Sequence, residues 1–90
     1  MSEARDVKIK RLAMRSMRRG IKEMDLILSG YATAHLADLS DADLALYDDM
    51  LDESDHDLYQ WVCGLGEEPA QYNALMTQIR AGAQGIVRPV

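Results

Sequence analysis

The chain has no phenylalanine, one cysteine and two prolines in its 90 residues. Without Phe, core volume must come largely from Leu and Met, helped by four Tyr and Trp61. Met and Leu, neither of them branched at Cβ, suit helices better than strands. The lone Cys63 excludes an internal disulfide and fits a reducing compartment. No apolar run approaches the roughly 20 residues needed to span a bilayer, so no membrane insertion is expected. An uninterrupted apolar segment of the secretory kind is also missing. The basic first 22 residues resemble part of an organelle transit peptide, although such peptides avoid acids such as Glu3 and Asp6.

Several chemistries are excluded in the same way. His35 and His56 lie far apart and neither has a second His at i+4, which argues against zinc. "GLGEEP" contains G-x-G, but no strand precedes it and a third glycine is missing, so it is no phosphate-binding loop. Nothing resembles a nucleophile elbow or a paired general acid and base. Cys63, between Val62 and Gly64, has no evident activating base and is expected to be a buried structural thiol. The reading is therefore a non-enzyme that binds no metal and no cofactor of its own.

What is present is an uneven distribution of charge. The net charge is −5. Residues 1–23 hold eight Lys or Arg against three acids, and residues 24–90 hold two Arg against twelve acids. Such asymmetry predicts a basic contact surface at one end of an acidic molecule. A chain of this length is one domain, burying about 60–65% of its unfolded surface.

Apolar periodicity is helical nearly throughout, giving an all-α, small single-domain five-helix bundle. Ile9, Leu12, Ala13 and Met17 predict a first helix over about 4–18, with Gly20 at its C′ position. Ile21, Met24, Leu28, Tyr31 and His35 predict a second over about 21–35, with Gly30 marking close packing or an early end. "LSDADLALYDDML" opens a third at Ser40, and Ser54 or Asp55 caps a fourth whose inward face is Leu58, Trp61, Val62 and Leu65. Pro69 at an N1 position opens a fifth carrying Tyr72, Leu75, Met76 and Ile79. The helical domain is set at 1–81, with 82–90 a loosely held tail. Short connections predict roughly antiparallel neighbours.

Two charged stretches invite a functional reading. The acids Asp48, Asp49, Asp52, Glu53, Asp55 and Asp57 lack the glycine and oxygen spacing of a calcium loop, and read as a solvated, capping face. The corner "RRGIKEMD", Arg18 to Asp25, is less easily dismissed. Arg19 and Glu23 at i,i+4 could pair locally, but an exposed pair adds only about 0–1 kcal/mol. Gly20 is explained as a backbone necessity that also permits close approach by another protein. A solvated helix corner and an interaction surface remain equal alternatives on composition. A basic helix followed by a glycine corner also admits a nucleic-acid-binding alternative, which the acidic remainder opposes.

The corner resembles the R-G-x-x-E signature of the SdhE family, the flavinylation assembly factors of succinate dehydrogenase, here Arg19-Gly20-Ile21-Lys22-Glu23. "KRLAMRSMRRGIKEMDLIL" looks like the family's first two helices and "LSDADLALYDDMLDESDHDLYQWV" like its middle block, over about residues 8–80. His56 departs from the family, many of whose members have Pro there. The resemblance implies a chaperone that binds the flavoprotein subunit of succinate dehydrogenase, and in some bacteria that of fumarate reductase. It would promote covalent attachment of FAD to the client and bind no FAD itself. Gly20 and Glu23 would be the foremost partner-binding residues, then Arg19, with Arg18, Lys22 and Asp25 beside them. The absence of an extension before the first helix suggests a bacterial cytoplasm, with a processed mitochondrial chain as the alternative.

Overall fold

The computed structural model describes residues 3–83. Five α-helices follow one another: α1 (Arg5–Arg15), α2 (Lys22–His35), α3 (Asp41–Met50), α4 (Asp55–Cys63) and α5 (Asn73–Gly82). Short 3-10 turns, Leu36–Asp38 and Ala70–Tyr72, lead into α3 and α5. No strand occurs among the described residues, so the all-α expectation holds. Residues 84–90 of the expected tail lie outside the described residues.

Local chemistry sets the starts of α3 and α4. The hydroxyls of Ser40 and Ser54 accept the backbone N–H of Asp43 and Asp57, each at 3.1 Å. Each hydroxyl thus satisfies one otherwise orphaned amide of a first turn. α4 ends where Gly64 takes φ +76°. Leu65 N–H then reaches back to Gln60 O at 2.8 Å, and Gly64 N–H to Trp61 O at 3.1 Å, a Schellman closure.

α2 is the centre of the molecule and packs against α1, α4 and α5. Met24, Ile27, Leu28, Tyr31 and Ala32 are its buried residues. Leu12, Leu44, Tyr47, Met50, Leu58 and Met76 are fully enclosed around it. Tyr31 stacks on Tyr47 with ring centroids 5.6 Å apart, and Trp61 lies 6.2 Å from Tyr72. These aromatic pairs replace the missing phenylalanines.

Several expectations fail for identifiable reasons. α1 stops at Arg15, not Arg18, and Met17 is half exposed instead of continuing the apolar stripe. Ser16 stands at the C-cap. It is fully buried, its hydroxyl donates to Leu12 O at 2.8 Å, and its Oγ lies 2.6 Å from the Tyr47 hydroxyl. Ser16 spends its only hydroxyl proton on Leu12, so Tyr47 is the donor to Ser16. Burial pushes the Tyr47 phenol up to about 12, which keeps that proton in place at neutral pH. The turn is then completed by Arg18, not Gly20, in the left-handed region at φ +56°. Gly20 is therefore no left-handed C′ residue.

Leu65 is exposed, because the reversal at Gly64 takes it off the face shared by Leu58, Trp61 and Val62. Pro69 precedes a 3-10 turn instead of opening α5, and Tyr72 enters the core from that turn. Cys63 is half-buried, not buried. α2 runs unbroken through Gly30, where an added Cβ would meet nothing within 4 Å, so neither close packing nor an early end explains this glycine.

Candidate functional site

Four of the five arginines of the N-terminal segment, all but Arg18, point across the fold to acids. Arg5 Nη1 lies 2.7 Å from Asp41. Arg11 holds Glu3 through Nε at 2.9 Å and Asp48 through Nη2 at 2.8 Å. Arg15 reaches Asp48 and Asp52, both at 2.6 Å. Arg19 Nε reaches Asp55 at 2.7 Å. The contacts climb α1 and the α3–α4 segment in the same direction, forming a ladder that fixes their register. The hydrogen bond from Arg11, opposed by partial burial, holds the Asp48 carboxyl below the usual carboxylate range, and the Arg15 charge adds to this. Glu3 is lowered for the same first reason.

This ladder corrects two readings. Asp48, Asp52 and Asp55 are arginine partners, not a merely solvated, capping face. Four of the eight cations of residues 1–23 are ion-paired within the molecule, which halves the basic surface expected from the charge count. Among the described residues, the cations with no ion-pair partner are Lys8, Lys10, Arg18 and Lys22.

The top rung builds the corner. Arg19 is only 11% exposed and Asp55 19%. Besides Asp55, the Arg19 guanidinium donates to Arg15 O at 2.9 Å and Leu51 O at 3.1 Å. These are backbone acceptors at the ends of α1 and α3. One planar fork thus ties the ends of two helices to the start of a third, a geometry unavailable to the point charge of lysine. The second Asp55 oxygen accepts the Gly20 backbone N–H. A Cβ on residue 20 would stand 3.1 Å from that oxygen. Glycine is explained here by the close approach of a carboxylate rather than by a left-handed backbone.

The predicted Arg19–Glu23 pair does not form, since Arg19 is committed to Asp55. Glu23 is exposed in the first turn of α2 and has no ion-pair partner among the described residues. The Glu23 charge is felt at Tyr59 on α4. Partial burial, then the Cys63 thiol, then the Glu23 charge push the Tyr59 phenol up. Arg18 and Lys22 are exposed, and Asp25 is half-buried. The six predicted residues therefore lie on one corner but divide into two kinds. Arg19 and the Gly20 amide are held by Asp55, while Glu23, Arg18, Lys22 and the half-buried Asp25 are not.

Asp55 was the residue missed as a member of the site. Its signal was present in the spacing: arginines at 11, 15 and 19 match acids at 48, 52 and 55 in steps of one helical turn. A second concavity, a cleft of about 190 Å³ lined by Ile27, Gly30, Tyr31, Ala34, His35, Ile79 and Gly82, lies between α2 and α5. His35 is exposed there, with its ring centroid 4.8 Å from that of Tyr31, rather than completing the buried stripe.

Fold and corner together define a class: a small all-α protein that presents a charged helix corner locked from within. The chain belongs to the family described as the flavinator of succinate dehydrogenase, whose model matches residues 10–83. It is 51% identical over 59 residues to succinate dehydrogenase assembly factor 2, mitochondrial, of Meyerozyma guilliermondii, covering 66% of this chain and 44% of that protein. The factor of the same name from Mycosarcoma maydis is 42% identical over 71 residues, covering 79% of this chain and 30% of the relative. Assembly factor 2-A, mitochondrial, of Drosophila willistoni is 31% identical over 80 residues, or 87% of this chain and 51% of its own length. The chain thus spans about half or less of the length of these curated relatives.

Proposed function

We propose that this protein binds the flavoprotein subunit of succinate dehydrogenase and promotes the covalent attachment of FAD to it. The observation that carries this reading is the corner itself. Arg19 and Gly20 are fixed against Asp55, so the exposed Glu23 is presented from a rigid base. The membership of the chain in the flavinator family supports this choice of client. In this reading the protein acts as a chaperone, not as an enzyme. It favours one conformation of the client, in which the flavin and its acceptor side chain are aligned, and the bond forms by the client's own chemistry. FAD is bound by the client and not by this chain. The flavoprotein of fumarate reductase is a second client of the same kind. The relatives are named as mitochondrial proteins, which fits the matrix as the compartment and lends no support to a bacterial cytoplasm.

The nucleic-acid reading is not favoured. A phosphate-binding helix needs free cations along one face, and Arg5, Arg11, Arg15 and Arg19 are all engaged by acids.

The test is in-gel flavin fluorescence of the denatured succinate dehydrogenase flavoprotein from cells with and without this protein. The signal should fall without it and return with wild type but not with Glu23→Ala. Restoration of the full signal by Glu23→Ala would remove Glu23 from the working surface. An unchanged signal in cells lacking the protein would refute the function.

A further inference from the structure

The ladder leaves a residue of unbalanced charge. Of the nine Lys and Arg among residues 3–83, five are ion-paired, and the other four (Lys8, Lys10, Arg18 and Lys22) fall within residues 8–22. The same stretch exposes large apolar side chains. Met14 is 74% exposed and Met17 49%, and Val7 is also open to solvent. On α1, Val7, Lys10 and Met14 stand at i, i+3 and i+7, so they share one face, opposite the buried Leu12 and Ser16. The bond from Met17 N–H to Met14 O, at 3.1 Å, carries this face one turn onward into the corner. Exposed methionine is costly to leave in water and adapts its shape readily against another protein. The ladder contributes nothing on this side, because its arginines are drawn to α3 and α4.

We propose that the outer face of α1, formed by Val7, Lys10, Met14 and Met17 and continued by Arg18 and Lys22, is a second docking surface for the client flavoprotein. It receives a segment that carries carboxylates beside apolar side chains. The inference rests on the function proposed above and adds residues outside the R-G-x-x-E stretch. Charge complementarity selects the occupant. Set against the exposed acids Asp6 and Glu23, the four cations Lys8, Lys10, Arg18 and Lys22 still leave this apolar strip positive on a chain of net charge −5, so an acidic apolar segment is attracted there and repelled by the rest of the surface. The two surfaces divide the work. The strip supplies affinity through buried methionine and free cations, and Glu23 acts on the client once bound.

Binding of the full chain to purified flavoprotein lacking covalent flavin tests this, with titrations at low and high salt. Met14→Ser/Met17→Ser should weaken binding by about tenfold or more, the change expected when central contacts are truncated. Lys10→Glu should weaken it less and flatten its salt dependence. Both variants should keep the wild-type thermal transition, since these side chains are exposed. Wild-type affinity in both variants would overturn the proposal, even if wild type loads flavin normally. A loss confined to self-association in sedimentation, with client affinity unchanged, would assign the strip to a second copy of this chain and overturn it equally. Wild type that neither binds the client nor promotes flavin loading would instead refute the underlying function.

Discussion

Asp55→Ala cuts the corner at its base. The substitution removes the carboxylate that accepts from Arg19 Nε at 2.7 Å and from the Gly20 amide. The Arg19 side chain, 11% exposed, keeps only its bonds to Arg15 O and Leu51 O. A hydrogen bond to a charged group contributes about 1.5–3 kcal/mol, and breaking a fully buried ion pair costs about 3–5 kcal/mol. This pair is not fully dry, so water recovers part of the loss and about 2–3 kcal/mol is expected. For a domain of this size that is about 10–20 °C in Tm. Urea unfolding followed by Trp61 fluorescence reads the loss directly, as a lower midpoint at unchanged slope. Arg19→Ala and the double variant complete a cycle whose coupling should be about 1–3 kcal/mol. A loss below about 0.5 kcal/mol, or simple additivity, would refute the clamp. The functional consequence is equally specific. Asp55→Ala should reduce client flavin loading as Arg19→Ala does, although Asp55 lies 35 residues beyond Gly20 and outside the signature. If Arg19→Ala leaves stability untouched and still abolishes loading, Arg19 must meet the client itself.

Two further outcomes follow from the same contacts. Ser16→Ala should cost about 1–3 kcal/mol, because the enclosed Tyr47 hydroxyl loses its acceptor; Tyr47→Phe on that background should recover part of the loss in the same urea assay. Asp48 has a folded-state pKa held below its unfolded one by Arg11 and Arg15, so its contribution is complete above about pH 4 and declines as pH falls through the folded value. Urea midpoints measured from pH 6 to pH 2 should fall less steeply in Asp48→Asn than in wild type, and parallel curves would exclude the ladder as the cause.

Element order and the starts of α3 and α4 were legible because their causes are local. Ser40 and Ser54 declare their caps within three residues, and the apolar period of α2 names its buried face without knowledge of what covers it. Features decided across the fold were not legible. At the end of α1, Ser16 is tied to Tyr47, 31 residues away, a contact no local pattern announces. The orientation of Arg19 depends on Asp55, so counting charges produced a broader basic surface than the structure presents. The i,i+4 relation of Arg19 to Glu23 suggested a pair, but a competing carboxylate with better geometry takes the arginine. At the corner, the six residues named from the sequence lie close together along the chain, but which of them are held by Asp55 and which are open to solvent could not be read from it.

The separation of cations also has a practical reach. Lys8, Lys10 and Lys22 are the chain's only lysines, and no ladder rung uses one of them. Apart from the amino terminus, every primary amine of the protein therefore belongs to the segment that runs from α1 into the corner. An amine-reactive cross-linker samples that region alone, so a lysine cross-link to a partner is already a map of the contact. Amine coupling to a sensor chip would do the reverse, turning the same region toward the matrix and hiding it from the molecule meant to bind there.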